Sequence, residues 1–220
     1  MGRLHRDKCL LVAATLMILA VPACTQPLTW FDDDGASGEQ GFQWAQCTGW
    51  GDFSLTTAGN NWAQVDRNDK ISGASSALMA YKVGAPGPAN GVRMEMSTDA
   101  TSTAHDLSVG FRFINFYAMG QGGEYVKFAL RDADGDFSNY VFLTPYTDDG
   151  GVPPLGVSET VWRGVTIPIA DLAGPAAFDL ARVNRYVFEI TGDEVSDGVM
   201  RRFRVDLGYA NGPLAVNWPR

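Results

Sequence analysis

The sequence predicts an all-β protein, a two-sheet antiparallel β-sandwich. Its 220 residues include 25 glycines and 11 prolines, and only 19% are charged. Long surface helices need charged outer faces, so this composition leaves little room for them. From residue 53 onward, short segments of alternating apolar and polar residues are separated by turn-forming residues, which is typical of antiparallel sandwiches. The apolar content of 45% is enough to give one domain a full core.

The alternation also places the strands. We expect strands over 92–96, 109–113, 126–131, 137–143, 160–169, 183–191 and 201–209. The run Asp132–Asp136 contains an Asp-Gly pair that suits a tight hairpin, so we interpret it as a turn rather than a calcium-binding loop. The residues predicted to point inward are Phe111, Phe113, Val126, Phe128, Leu130, Phe188, Ile190, Val205 and Leu207. Val109 lies on the same predicted strand face as Phe111 and Phe113.

The first residues favour export. Residues 1–8 are basic overall, and the apolar run over 9–23 is shorter than a membrane span requires, so we expect a signal peptide over 1–23. The end of the run resembles a bacterial lipoprotein processing box, which predicts acylation of Cys24 and a lipid-anchored tether over 24–29. The domain would then lie in the bacterial cell envelope and touch the membrane only through this anchor. The alternative is ordinary cleavage after Ala23 and secretion.

Charge and residue counts exclude several classes of function. The chain has a net charge of −8, whereas nucleic-acid binding needs a basic surface. After residue 23, His105 is the sole histidine and Cys47 the sole cysteine apart from Cys24. Multi-histidine zinc sites and a disulfide framework are therefore excluded.

The motifs of polysaccharide-cleaving enzymes are also missing from the sequence. Retaining glycosidases need two carboxyl groups about 5–5.5 Å apart, and no E-x-D-x-x-E spacing that could supply them on one strand is present. A G-x-S-x-G nucleophile motif is absent too. The sequence therefore favours a non-catalytic protein.

An ordered set of motifs resembles a known family. The segments 162–168, 178–183, 186–190 and 203–207 follow one another as in the closing part of galactose-binding-like jelly-roll domains. The likeness is to carbohydrate-binding modules of the family-11 type in particular. The first half agrees more loosely, through segments 31–35, 72–78 and 106–108. The resemblance implies a jelly-roll domain over 30–210, with a C-terminal tail over 211–220.

The resemblance further implies a structural calcium ion. In such domains calcium joins the opening acidic motif to the last strand, which here points to Asp32 and Asp206 as ligands. Two carboxylates brought together repel each other unless a cation intervenes. The alternative is that Asp206 accepts backbone hydrogen bonds in a turn while residues 32–34 are solvated.

The faces opposite the predicted core form a candidate binding surface. Planar donors, carboxylates and aromatic rings suit sugar hydroxyls and pyranose faces. The alternative is a solvated outer sheet with cross-strand ion pairs. Trp50 lies between glycines and is expected to be more exposed than Trp62. The outward-facing set is Arg93, Glu95, Arg112, Tyr125, Lys127, Arg131, Tyr140, Glu189 and Arg204. From it we select Arg112, Tyr125, Lys127 and Tyr140 as carbohydrate-binding residues, with Trp50 at the loop end.

These inferences lead to two hypotheses for the function. The first is an exported, lipid-anchored, non-catalytic domain that binds a polysaccharide or other glycan. The alternative is a structural or partner-binding envelope lipoprotein without affinity for glycans.

Overall fold

The computed structural model describes residues 28–31, 42–71, 75–97, 103–121, 125–148 and 160–211. Within these ranges the chain forms β-strands and short 3₁₀ helices at 59–61, 144–146, 169–172 and 180–182. None of the helices in the described ranges is long and apolar enough to cross a membrane. The strands are β1 (Leu28–Phe31), β2 (Phe42–Trp50), β3 (Phe53–Thr56), β4 (Trp62–Asp66), β5 (Ser76–Val83), β6 (Gly91–Ser97), β7 (Phe113–Gly120), β8 (Lys127–Asp132), β9 (Val141–Phe142), β10 (Arg163–Pro168), β11 (Val183–Thr191) and β12 (Arg201–Asn211).

The strands pair antiparallel in two packed sheets. The first sheet has the order β10-β7-β12-β5, with β1 beside β12 and β3 beside β5. The second has the order β2-β6-β11-β8-β9. Strand β4 pairs with both β5 and β2, so one curled sheet continues from the first layer into the second. The predicted antiparallel sandwich is confirmed.

Aromatic rings from both sheets meet in the core. Phe116 of β7 lies 5.2 Å from Phe128 of β8 and 5.1 Å from Phe188 of β11, measured between ring centroids. Phe203 of β12 lies 5.6 Å from Phe188. Tyr186 packs edge-on against Phe128 at 5.4 Å. Such pairs stabilise a fold beyond the area they bury, so this cluster holds the two sheets together.

Most of the predicted core residues are buried. Those confirmed in the core are Val126, Phe128, Leu130, Phe188, Ile190 and Val205. The side chain of Leu207 lies outside the described part of the structure.

The prediction for β7 was wrong in its bounds and its inward face. The strand begins at Phe113, after Gly110 with its φ of +82°, and Phe116 is its central core residue. Val109 is 72% exposed, whereas Phe111 and Phe113 are only partly buried. The physical reason is that β7 is buried on both faces. Residues on its non-core side, among them Tyr117, Met119 and the polar Asn115, are also buried, so the strand does not alternate between buried and exposed residues.

Strand pairing includes residues on both sides of the 30–210 range expected for the jelly-roll domain. Leu28 and Thr29, placed in the tether by the sequence, pair with Ala210 and Tyr209 in the first sheet. Asn211, placed in the tail, pairs with Phe113 at the end of β12. The predicted signal peptide and Cys24 lie outside the described residues, as does the rest of the tail.

The Asp132–Asp136 segment is a turn, as predicted. One carboxylate oxygen of Asp132 accepts hydrogen bonds from the backbone N–H groups of Asp134, Gly135 and Asp136 at 2.9–3.0 Å. The other accepts from the N–H of Asp179 at 2.9 Å, which ties the turn to the segment before β11. Burial opposes the charge of Asp132, but these four donors outweigh it, so the pKa of the carboxyl lies below its ordinary value.

Truncation of Phe128 to alanine tests the aromatic core. Because Phe128 is fully buried between the sheets, we expect the free energy of unfolding to fall by about 3–5 kcal/mol. Denaturant titration measures this loss. Phe142→Ala, on the neighbouring strand and 46% exposed, is the control and should cost far less. Equal losses for the two variants would contradict the assignment of the core.

Asp132→Asn tests the turn. The variant keeps the size of the side chain but loses the charge that accepts four backbone donors, so we expect a loss of about 2 kcal/mol at pH 7. Because the folded pKa is lowered, the stabilisation is present above the unfolded pKa and disappears as pH falls through the folded pKa. The difference between wild type and variant should therefore shrink in acid. Asp136→Asn, in the same turn but exposed, should leave stability nearly unchanged at every pH.

Candidate functional site

The outer side of the second sheet carries a dense cluster of charged and aromatic side chains. Met94 and Phe188 point into the core, so their neighbours Arg93 and Glu189 point outward, directly opposite each other in the β6–β11 register. The same alternation places Lys127 opposite Glu189 on the other side of β11. We call this cluster the polar face. It consists of Trp50 from β2, Arg93 and Glu95 from β6, Lys127 and Arg131 from β8, Phe137 and Tyr140 from the segment before β9, Arg185 and Glu189 from β11, and Glu194 after β11.

The charged side chains of the polar face also cover apolar residues of the sheet. Val187 and Ala129 point to this side, since Val187 pairs with Glu95 and with Ala129, yet both are fully buried. The aliphatic stems of long charged side chains can cover such residues while their charged groups stay near water. The charged groups of the polar face therefore lie over an apolar base.

Glu189 is the centre of the hydrogen-bond network. Arg93 donates to its Oε2 through Nε at 3.0 Å and Nη2 at 2.5 Å. The hydroxyl of Tyr140 donates to the same oxygen at 3.1 Å, and it accepts a hydrogen bond from Arg93 Nη2 at 3.3 Å. Burial and the charge of Glu189 raise the pKa of Tyr140, which keeps the phenol protonated and able to donate. Glu189 is only 7% exposed, so these contacts compensate for its loss of water.

Two further carboxylates complete the network. Glu95 accepts a hydrogen bond from Arg131 Nη1 at 2.7 Å, and it lies 3.5 Å from Arg93 Nη1 and 3.6 Å from Arg185 Nε. Glu194 lies 3.0 Å from Lys127 Nζ. Burial opposes its charge, but hydrogen bonds from Thr191 and the nearby lysine outweigh this and lower the pKa of Glu194.

Three aromatic rings lie beside these ion pairs. The guanidinium of Arg93 lies 4.7 Å from the centroid of the Phe137 ring and 5.5 Å from that of Trp50. Phe137 and Tyr140 are stacked, with centroids 6.0 Å apart and planes inclined by 25°. Lys127 Nζ lies 5.7 Å from the Tyr140 ring. Rings and cations therefore support one another across the surface.

Trp50 is held in a fixed orientation at the edge of the polar face. Its indole N–H donates to the carbonyl oxygen of Pro88 at 3.1 Å. Its ring lies on Gly91, its cross-strand partner, because a Cβ at that position would come within 2.5 Å of the indole. Gly91 is therefore needed for close packing of the ring.

The structure brings together part of the site that the sequence predicted. Of the five selected residues, Lys127, Tyr140 and Trp50 belong to the polar face. The selected sheet residues Lys127 and Tyr140 and the loop-end residue Trp50 therefore lie on one surface. Arg112 does not belong to it. It is exposed and precedes β7, and its carbonyl oxygen accepts a hydrogen bond from the N–H of Ile169, which follows β10 of the first sheet. Tyr125 packs against the core, with the guanidinium of Arg201 5.6 Å from its ring.

The wider outward-facing set needs one more correction, and the structure adds three residues. Arg204 lies on the first sheet, where it pairs with Asp66 at 2.8 Å and Asp69 at 3.2 Å. Phe137, Arg185 and Glu194 join the polar face although the sequence analysis did not select them. Arg185 alternates with Tyr186 on β11 and therefore lies on the same side as Glu189. A phenylalanine in a predicted strand resembles a core residue, and a loop glutamate gives no signal of its partner, so neither was identifiable from periodicity.

Nothing in the described residues tests the predicted calcium site. Asp206 is buried, and its Oδ2 accepts a hydrogen bond from the backbone N–H of Ile71 at 2.6 Å. Asp32 lies outside the described ranges. Within those ranges no group of three histidine, cysteine or acidic residues can hold a metal. Calcium binding by Asp32 and Asp206 stays a prediction.

Comparison with known proteins identifies the fold. No protein-family model and no curated protein sequence matches the chain. Among solved structures, a β-1,2-glucanase from Parabacteroides distasonis aligns with a TM-score of 0.66 and 16% identity, over 87% of this chain and 26% of the glucanase. The chain thus spans about a quarter of that enzyme.

Carbohydrate-binding modules align over nearly their whole length. The family 30 module of a cellulosomal cellulase of Clostridium thermocellum gives a TM-score of 0.59 and 17% identity, over 86% of this chain and 99% of the module. The family 11 module from the same organism, in complex with a β-1,3-1,4-mixed-linked tetrasaccharide, gives 0.52 and 11%, over 86% and 98%. The protein therefore has the β-sandwich fold of these modules, and the predicted jelly roll is confirmed.

Gly91→Ala tests the packing of Trp50. Because the new methyl group would overlap the indole, we expect the ring to move and stability to fall by about 1–3 kcal/mol. The fluorescence of Trp50, obtained by subtracting the spectrum of a Trp50→Phe variant, should shift. Gly59→Ala is the matched control, since a Cβ there meets nothing within 4 Å. An unchanged Trp50 spectrum in Gly91→Ala would contradict the packing described.

Proposed function

We propose that this protein binds a polysaccharide at the polar face and does not cleave it. The observation that carries the proposal is the juxtaposition of three aromatic rings, Trp50, Phe137 and Tyr140, with a partly buried network of guanidinium and carboxylate groups. Aromatic rings pack against the apolar faces of sugar rings. Guanidinium and carboxylate groups hydrogen-bond pairs of hydroxyls.

The rigidity of the polar face supports the proposal. Arg93 contacts Glu189, Tyr140 and two rings, while the indole of Trp50 is fixed by Pro88. Binding requires interface side chains to become ordered, which costs about 0.5–1.5 kcal/mol for each long side chain immobilised. Here contacts within the protein already hold Arg93 and Trp50 in place.

Binding without cleavage is supported by the state of the carboxylates. Each of Glu95, Glu189 and Glu194 contacts at least one cation. A glycosidase acid has to hold a proton near the working pH, whereas the pKa of Glu194 is lowered. The polar face is thus better suited to hydrogen bonding than to proton transfer.

The proposal includes the location that the sequence favours. A signal peptide over 1–23 and a lipid on Cys24 would hold the domain at the cell envelope, where polysaccharides are accessible. A calcium ion between Asp32 and Asp206 would be structural and would lie away from the polar face, since Asp206 belongs to the first sheet.

Affinity electrophoresis in gels containing mixed-linked β-glucan or xylan tests the function. We expect retention of the wild type, and weakening by about 1 kcal/mol, about fivefold in Kd, in Trp50→Ala and in Phe137→Ala. The matched control is Trp162→Ala, because Trp162 precedes β10 at the edge of the first sheet. Arg112→Gln should also leave retention unchanged.

Two outcomes would count against the proposal. Equal weakening by Trp162→Ala would move the site away from the polar face. If the wild type is retained by no polysaccharide, neutral or acidic, a structural or partner-binding lipoprotein becomes the better account.

A further inference from the structure

We infer that the polar face selects acidic polysaccharides, whose sugar units carry a carboxylate or a sulfate. The inference rests on the proposed function and specifies the ligand class of the same site. It is carried by three properties of the charged groups on the polar face: their number, their exposure to solvent and the distances between them.

The first step is the number of charges. Among the described residues of the polar face, four cations stand against three carboxylates. The cations are Arg93, Lys127, Arg131 and Arg185, and the carboxylates are Glu95, Glu189 and Glu194. The face is therefore locally positive on a protein whose net charge is −8.

The second step is the depth of the charges. The side chains of Glu189, Glu194 and Glu95 are 10%, 11% and 16% exposed. Those of the cations are more exposed, from 19% for Lys127 to 33% for Arg131. A ligand that approaches from solvent thus meets mainly the positive groups, while the carboxylates lie beneath them.

The third step is the spacing around Glu95. Three guanidinium groups surround this one carboxylate, but only Arg131 is at hydrogen-bond distance, 2.7 Å against 3.5 Å for Arg93 and 3.6 Å for Arg185. Arg93 is also bound by Glu189, whereas Arg131 Nε has no hydrogen-bond partner among the described residues. A ligand carboxylate or sulfate would add acceptors for the Arg131 guanidinium, whose side chain is the most exposed of the four cations.

Because the protein as a whole is acidic, affinity for an acidic polysaccharide would identify a local binding surface. A net charge of −8 repels a polyanion, so non-specific attraction would not bring an acidic polysaccharide to this chain. Any affinity for such a polymer has to arise from a local positive surface.

The experiment compares three polymers by affinity electrophoresis of the same protein. Mixed-linked β-glucan is neutral, polygalacturonate carries carboxylates, and dextran sulfate carries sulfates. We expect at least one acidic polymer to be retained about fivefold more tightly than the neutral one, and this preference to decline as NaCl rises from about 0.05 M to about 0.5 M because salt screens the attraction. Which acidic polymer binds better identifies carboxylate or sulfate as the preferred group.

Two charge variants test the role of the polar face with opposite signs. Lys127→Gln removes a cation and should weaken retention on the acidic polymer several-fold, whereas Glu95→Gln removes a carboxylate and should strengthen it. Misfolding cannot produce the gain in the second variant. Lys82→Gln, on β5 of the first sheet, is the matched control and should have no effect. Thermal melting verifies that each variant is folded.

The outcomes separate this inference from the proposed function. Retention on the neutral glucan that equals or exceeds retention on both acidic polymers overturns the inference and leaves the proposed function in place. Retention on acidic polymers that does not respond to Lys127→Gln and Glu95→Gln also overturns it. Failure to bind any of the three polymers overturns both.

Discussion

The alternation of side chains along the strands of the second sheet is the constraint on which the rest of the structure depends. On β11, Phe188 packs against aromatic rings from both sheets, so Glu189 next to it has to point outward. Pairing with β6 then places Arg93 opposite that carboxylate, and pairing with β8 places Lys127 on its other side. The aromatic core therefore fixes the register of the strands, and the register fixes the ion pairs of the polar face.

The cost of burying charge makes the polar face one connected unit. Glu189 is 7% exposed, and removal of a partner from a buried carboxylate leaves an uncompensated charge that is strongly destabilising. Arg93 serves as ion-pair partner to Glu189 and as neighbour to the Trp50 and Phe137 rings. Orientation of the rings and satisfaction of the carboxylate thus depend on the same guanidinium, so the proposed binding surface and the stability of the sheet are coupled at this residue.

The sequence predicts the register of those strands whose two faces differ in polarity. In β6, β8 and β11 one face is apolar core and the other carries charge, so the register is visible and most of the ion-pairing residues were found, Arg185 being the exception. In β7 both faces are buried, and the predicted inward face was wrong because the alternation disappears. Phe137 and Glu194 were missed for another reason: their roles depend on strand pairing between segments distant in the chain, which one-dimensional periodicity does not encode.

The shared fold does not determine which side chains the polar face presents. Modules of families 30 and 11 align over most of this chain at only 17% and 11% identity, so the sandwich is retained while most of the residues differ. A fold of this kind hosts many functions, and specificity comes from the side chains it presents. Here the covered carboxylates and more exposed arginines give an acidic protein a locally positive surface. Because the core dictates which residues point outward but not their charge, chains with the same sandwich can present polar faces of different chemistry.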